Sequence, residues 1–160
     1  MKYQIRPIKT YELHLLQDFL HEAIFQRDEQ NPIPRDVIER SEIKVFIEGF
    51  GKKDDLCLVA EEDDKIIGAV WTRILAGKVK GFGNIDDNTP EFAISLYKEY
   101  RGKGIGTQLM QSMLDLLREK GYTKTSLAVQ KDNYAVKMYL KVGFSILGEN
   151  DHEYIMVCEL

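Results

Sequence analysis

Apolar residues recur at helical spacing from Ile105 through Leu109, Met113, Leu116 and Leu117, with Met110 and Leu114 widening the stripe. Gly121 supplies a left-handed stop. Just upstream the pattern changes, and Ile94, Leu96 and Tyr97 make a short extended run. Residues 3–8 alternate as a first strand, for which Pro7 implies an edge position or an early end. Thr10 then caps a helix whose stripe of Leu13, Leu16, Leu20, Ala23 and Ile24 runs to about residue 26. A second helix is expected after Pro34, carried by Ile43, Phe46, Ile47 and Phe50 and ended by Gly49 and Gly51.

Residues 56–60 and 66–75 read as a hairpin around the acidic turn 61–65, and a further strand begins at Glu91. The apolar run Leu127, Ala128, Val129 is another strand, followed by a helix and by two last strands at 145–147 and 154–160. Two connections are long. Residues 27–36, with two prolines, are either a lid or a plain connector, and residues 76–90 are a flexible or site-lining loop.

At 160 residues, 44% apolar and 30% charged, the chain suits one well-buried domain over 1–160. A net charge of −4 with scattered Lys and Arg offers no field for nucleic acid. No apolar run is long enough to span a membrane and no signal peptide is visible, so a cytoplasmic location is expected. Cys57 and Cys158 sit in apolar runs as free, buried thiols. His14 and His21 share a helix face without a third ligand, and the acids 61–64 lack calcium-loop spacing, so no metal is expected. Trp71 is expected in the core.

The candidate chemistry lies in two motifs. Arg101, Gly102, Lys103, Gly104, Ile105 and Gly106 crowd three glycines into five positions at the start of the long helix. The first turn of a helix has N–H groups without intrahelical partners and a partial positive charge, which suits a phosphate. Neither familiar phosphate loop fits, since position 107 is Thr and no G-x-x-x-x-G-K-[ST] occurs. What remains is Arg-x-x-Gly-x-Gly, for which a merely structural turn is a serious rival. The second motif is NYAVKMYLKVGF from Asn133 to Phe144, directly after a strand.

Together these strings resemble the GNAT superfamily of acyl-CoA-dependent N-acyltransferases, strongly over residues 91–160. The resemblance implies an α/β (α+β) fold: a mixed, mostly antiparallel sheet of about seven strands, splayed at its centre and flanked by about four helices. It implies acetyl-CoA as co-substrate, with pyrophosphate on the glycine loop, Arg101 and Lys103 adding charge, and the pantetheine arm on exposed backbone around Ile94 and Leu96. It also implies direct attack by a primary amine in a ternary complex. The Leu96 N–H then faces the thioester carbonyl, and Tyr139 protonates the leaving thiolate unless it is simply core. Asn133 contacts the cofactor arm, caps its helix, or both.

Glu91 is the candidate base, against a solvent-exposed strand residue or a water relay. Asp86, Asp87 and Glu91 near the expected mouth favour a cationic acceptor, either a small-molecule or a peptide amine. A homodimer is compatible with the resemblance. The competing reading is a non-catalytic module of the same fold that senses acyl-CoA.

Overall fold

The computed structural model describes residues 2–160. Seven strands form one sheet in the order β1-β2-β3-β4-β5-β7-β6. They are β1 (Gln4–Pro7), β2 (Leu56–Glu62), β3 (Lys65–Arg73), β4 (Glu91–Leu96), β5 (Lys124–Gln130), β6 (Ser145–Glu149) and β7 (Glu153–Glu159). Pro7 does lie on an edge strand, where its missing N–H costs no ladder bond. All pairings are antiparallel except β4 with β5, which are parallel. Those two touch in register only at Glu91 and Ser126 and then part, so the sheet is open at its centre. The mixed, mostly antiparallel and centrally splayed sheet is therefore present.

Both faces of the sheet are covered. The helix α3 (Ile105–Glu119) buries Ile105, Leu109, Met110, Met113, Leu114 and Leu117. With α4 (Ala135–Val142) it covers the face bearing Ile67, Val70, Phe92 and Met156. On the other face α1 (Leu16–Ala23) packs Leu16, Phe19 and Leu20 against Val59, Ala69 and Trp71. Ser95 Oγ donates to the Phe19 carbonyl at 2.6 Å and fixes α1 across β4.

The N-terminal helices are shorter than the apolar stripes predict. Thr10–Leu15 winds as a 3-10 helix, with Glu12 accepting from the Lys9 N–H, and the α-helix begins only at Leu16. Ile24 is already extended. After Pro34 comes a 3-10 turn, Arg35–Glu39, then an extended Arg40 and a single α-turn, α2 (Ser41–Lys44).

The physical reason is a competition for carbonyls. Arg73 donates to the Val45 and Glu48 carbonyls at 3.1 and 2.9 Å, and Trp71 Nε1 donates to the Phe46 carbonyl at 3.1 Å. Side chains from β3 thus hold the segment that the periodicity assigns to a longer helix. Arg73 is in turn paired with Asp55 at 3.0 Å, both side chains almost fully buried. Removal of either partner would leave an uncompensated buried charge, so the placement of Phe46 is rigidly specified.

At the other end of the sheet Arg6 bridges Glu12 and Glu61, at 2.8 Å to each, and ties β1 to β2. The Arg6 hydrogen bond holds the Glu12 carboxyl down to about 2. Among the described residues no helix is long and apolar enough to cross a membrane, and no group of three or more His, Cys, Asp or Glu is arranged to hold a metal ion.

Candidate active site

The opening between β4 and β5 has a chemical consequence set by strand geometry. In an antiparallel pair, alternate residues point their N–H and C=O groups at the partner strand. The Tyr97 N–H donates to the Ile67 carbonyl at 3.1 Å, so Tyr97, Ser95 and Ala93 bond toward β3. Ile94 and Leu96 then direct their backbone groups toward the gap, where β5 has already departed. This is an unpaired strand edge inside the molecule, of the kind that an extended amide-bearing chain can complete.

At the end of β4 the chain turns through Gly102 and Gly104 into α3. Gly104, with φ of +86°, is the residue immediately before the helix, and a side chain there is strained although the space around it is open. The first helical bond runs from the Gln108 N–H to the Gly104 carbonyl at 3.2 Å. The N–H groups of Ile105, Gly106 and Thr107 therefore precede any intrahelical partner and carry the positive end of a 15-residue helix.

Two cavities meet at the splay. The smaller, about 620 Å³, is lined by Gly102, Gly104, Gly106 and Thr107, by Leu96, and by Asn133, Ala135 and Met138 of the α4 start. The larger, about 1080 Å³, is lined by Glu91 and Phe92, by Phe25, Phe46 and Phe82, and by the β6–β7 turn. Ile94, Asn133 and Tyr139 line both, as do Ala23, Ile24 and Phe25. The expected residues Ile94, Leu96, Gly102, Gly104, Gly106, Asn133, Tyr139 and Glu91 are thus gathered around one continuous opening. Ile105 contributes its backbone only, since its side chain is fully buried in the core.

Three details differ from expectation. Arg101 lines the smaller cavity, but part of its guanidinium is engaged: Nε donates to the Leu96 carbonyl at 3.0 Å and Nη2 pairs with Glu22 at 3.1 Å. Lys103 stands outside both cavities, with Nζ 5.9 Å from the centre of the Tyr100 ring. Asp86 is likewise absent from the cavity wall, because it is bound to Lys124, Thr89 and the Asn88 N–H. Asp87 does not line it either. The acids that do line the larger cavity are Glu91, Asp132, Asp151 and Glu153.

Glu91 is only 2% exposed, not a solvated strand terminus. Its Oε2 accepts the Gly83 N–H at 2.9 Å, while Oε1 is buried without a partner among the described residues. Desolvation pushes its carboxyl up to about 7, with the Gly83 hydrogen bond opposing and the Glu153 charge adding. A carboxyl near neutrality is matched to proton transfer at physiological pH. The loop folds against it so closely that a Cβ on Gly81 would lie 2.0 Å from Oε1.

Tyr139, on α4, packs edge-on to Phe144 at 5.9 Å between ring centres. Desolvation, reinforced by Tyr134, pushes its phenol up to about 12, so it remains a proton donor throughout the neutral range. Asn133 uses Oδ1 to accept the Ala135 N–H at 2.9 Å and so fixes the helix start beside the cavity.

Several lining residues carried no usable sequence signal. Thr107 figures in the sequence only as a mismatch to a dinucleotide motif, yet its N–H belongs to the unpaired first turn. Phe46 belongs to a helical stripe, Phe25 falls within the expected first helix, Phe82 in a polar connection, and Gly83 is one glycine among several. The loop after α1 borders both cavities through Phe25, and its Arg27 makes a bidentate pair with Asp132 at 2.8 Å across the opening.

A sequence profile of the acetyltransferase (GNAT) family matches residues 18–144. Over 84 residues the chain is 36% identical to mycothiol acetyltransferase of Corynebacterium aurimucosum, covering 52% of this chain and 26% of that protein. Over 72 residues it is 38% identical to spermidine N(1)-acetyltransferase of Escherichia coli, covering 41% of this chain and 37% of that protein. The matches therefore span less than half the length of either relative. PaiA N-acetyltransferase from Thermoplasma acidophilum, solved in complex with coenzyme A, shares the fold with a TM-score of 0.70 at 22% identity over 100% of both chains. The profile spans most of the chain, strands β2 to β5 and the glycine-headed helix included, and the protein belongs to the acetyltransferase (GNAT) family.

Proposed function

We propose that residues 1–160 form one acetyltransferase domain that moves an acetyl group from acetyl-CoA to a primary amine by direct attack in a ternary complex. The observation that carries this reading is the meeting of two cavities at Tyr139, Asn133 and Ile94. One cavity offers what acetyl-CoA requires: unpaired helix amides for the pyrophosphate and a free strand edge for the two amides of the pantetheine arm. The other is apolar and acidic, as suits the amine.

The Leu96 N–H faces the gap and is the donor for the thioester carbonyl oxygen as negative charge grows there. Alkylammonium groups have pKa values near 10, so the amine has to lose a proton before it attacks. Glu91, which lines the larger cavity and whose Oε1 has an unused lone pair, takes that proton. The nitrogen bonds to the acetyl carbon and the C–S bond breaks. Tyr139 gives its proton to the leaving thiolate and is restored by the second proton of the nitrogen, so that the one proton taken by Glu91 is released for each ammonium consumed.

Replacement of Tyr139 by Phe tests this arrangement and keeps the ring packing. The expected result is a fall in kcat of about 10²-fold with little change in the Kd for acetyl-CoA, read by steady-state CoA release and calorimetry. An unchanged kcat would remove Tyr139 from the chemistry.

A further inference from the structure

The larger cavity is chemically mixed. The wall built by α1, α2 and the loop 76–90 is formed by Leu20, Ile24, Phe25, Ile43, Phe46 and Phe82. Phe82 is 47% exposed, and it leans on Phe46 at 6.2 Å with ring planes 22° apart. An aromatic side chain left half bare beside a cavity presents a ready surface for another flat apolar group. Phe46 cannot drift from this place, because its carbonyl is held by Trp71 and its neighbours by Arg73.

The same cavity carries acids, and Glu91 lies directly under the loop that bears Phe82, with Oε2 accepting the Gly83 N–H at 2.9 Å. Asp132, Asp151 and Glu153 line the cavity as well, and of its basic side chains Arg27 is paired with Asp132 at 2.8 Å and Lys131 with Glu149 at 3.3 Å, which leaves His152. An acceptor carboxylate or phosphate finds no free Lys or Arg there.

We infer that the acceptor is a small primary amine carrying an aromatic or similarly bulky apolar body and no acidic group. Its body lies against Phe82 and Phe46, and its amine points toward Glu91 and the acetyl group. This rests on the transferase reading above and adds the substrate class to it. Phe82 then acts on specificity, by favouring the body of the amine, and not on the transfer step.

The test compares kcat/KM for CoA release from acetyl-CoA with methylamine, 2-phenylethylamine, phenylalanine and spermidine. 2-Phenylethylamine is expected to exceed methylamine by tenfold or more, from burial of its ring, and to exceed phenylalanine and spermidine. Phe82→Ala should lower the ratio of 2-phenylethylamine to methylamine about tenfold, and Phe82→Trp should preserve it. The ratio cancels any general loss of folding or of acetyl-CoA binding. Preference for spermidine, phenylalanine or methylamine, or an unchanged ratio in Phe82→Ala, overturns the inference and leaves the transferase reading standing. Absence of CoA release with all four amines overturns both.

Discussion

Glu91→Gln is expected to lower kcat/KM at pH 8 by about 10²- to 10³-fold and at the same time to make the protein harder to unfold. The two effects have one cause. Burial without a full set of partners raises the Glu91 carboxyl to about 7, so the site is adapted to the neutral form. The folded protein therefore binds a proton that the unfolded chain, with its ordinary value near 4.5, has lost. Between pH 4.5 and 7 the native state carries more protons than the unfolded one, and stability falls as pH rises. At about 1.4 kcal/mol per unit this amounts to ~3 kcal/mol by pH 8.

Gln fills the same volume, accepts the Gly83 N–H through its carbonyl, and carries no charge to desolvate. The variant should thus unfold at higher denaturant than the parent at pH 8 and at the same denaturant near pH 4. Catalysis runs the opposite way. The parent kcat/KM should rise with pH through about 7, as the base ionises, and the variant should lack that limb. A variant as active as the parent, with the limb retained, would show that another group accepts the proton.

Gly104→Glu is expected to weaken acetyl-CoA binding by about 10²-fold or more, whereas Gly104→Ala should cost only a few-fold. Both substitutions meet the same left-handed backbone, with a strain of roughly 1 kcal/mol. Nothing lies within 4 Å of the added Cβ, so neither is blocked sterically. They differ in the carboxylate, which sets a negative charge among the unpaired N–H groups of Ile105, Gly106 and Thr107 where the pyrophosphate is proposed to sit. At about 4 Å and an effective dielectric of 20, one such repulsion is about 4 kcal/mol. Calorimetric titration with acetyl-CoA separates the two. Equal losses would assign the glycine to backbone shape alone, and no loss in either would remove the turn from the cofactor site.

The sequence was informative where the backbone itself imposes the residue. Gly104 is legible because its φ excludes most side chains, and the strand, glycine turn and helix around it follow from local periodicity. The acceptor side was not legible, because its parts are brought together by long-range contacts. The stripe through Ile43 and Phe46 reads as helix, yet its carbonyls are taken by Arg73 and Trp71 from a strand some 25 residues away in sequence.

Glu91 is visible as a position, but its burial comes from Gly81 and Gly83 folding onto it, and the Glu153 charge adds to the effect. No local pattern encodes that. Asp86 misled for the same reason: its charge is visible in the sequence and its partner, Lys124, is 38 positions away. Arg101 forms part of a motif and is expected to serve phosphate, whereas its Nε and Nη2 are engaged by Leu96 and Glu22.

The central claim is that acetyl-CoA and an amine meet in one opening and react directly. It is tested by steady-state CoA release, with acetyl-CoA and an accepted amine varied together. The account predicts amine-dependent release and intersecting double-reciprocal lines, the pattern of a ternary complex. Parallel lines would point to a covalent acetyl-enzyme, and tight acetyl-CoA binding without any amine-dependent release would make the protein a binding module. Either result would contradict the account.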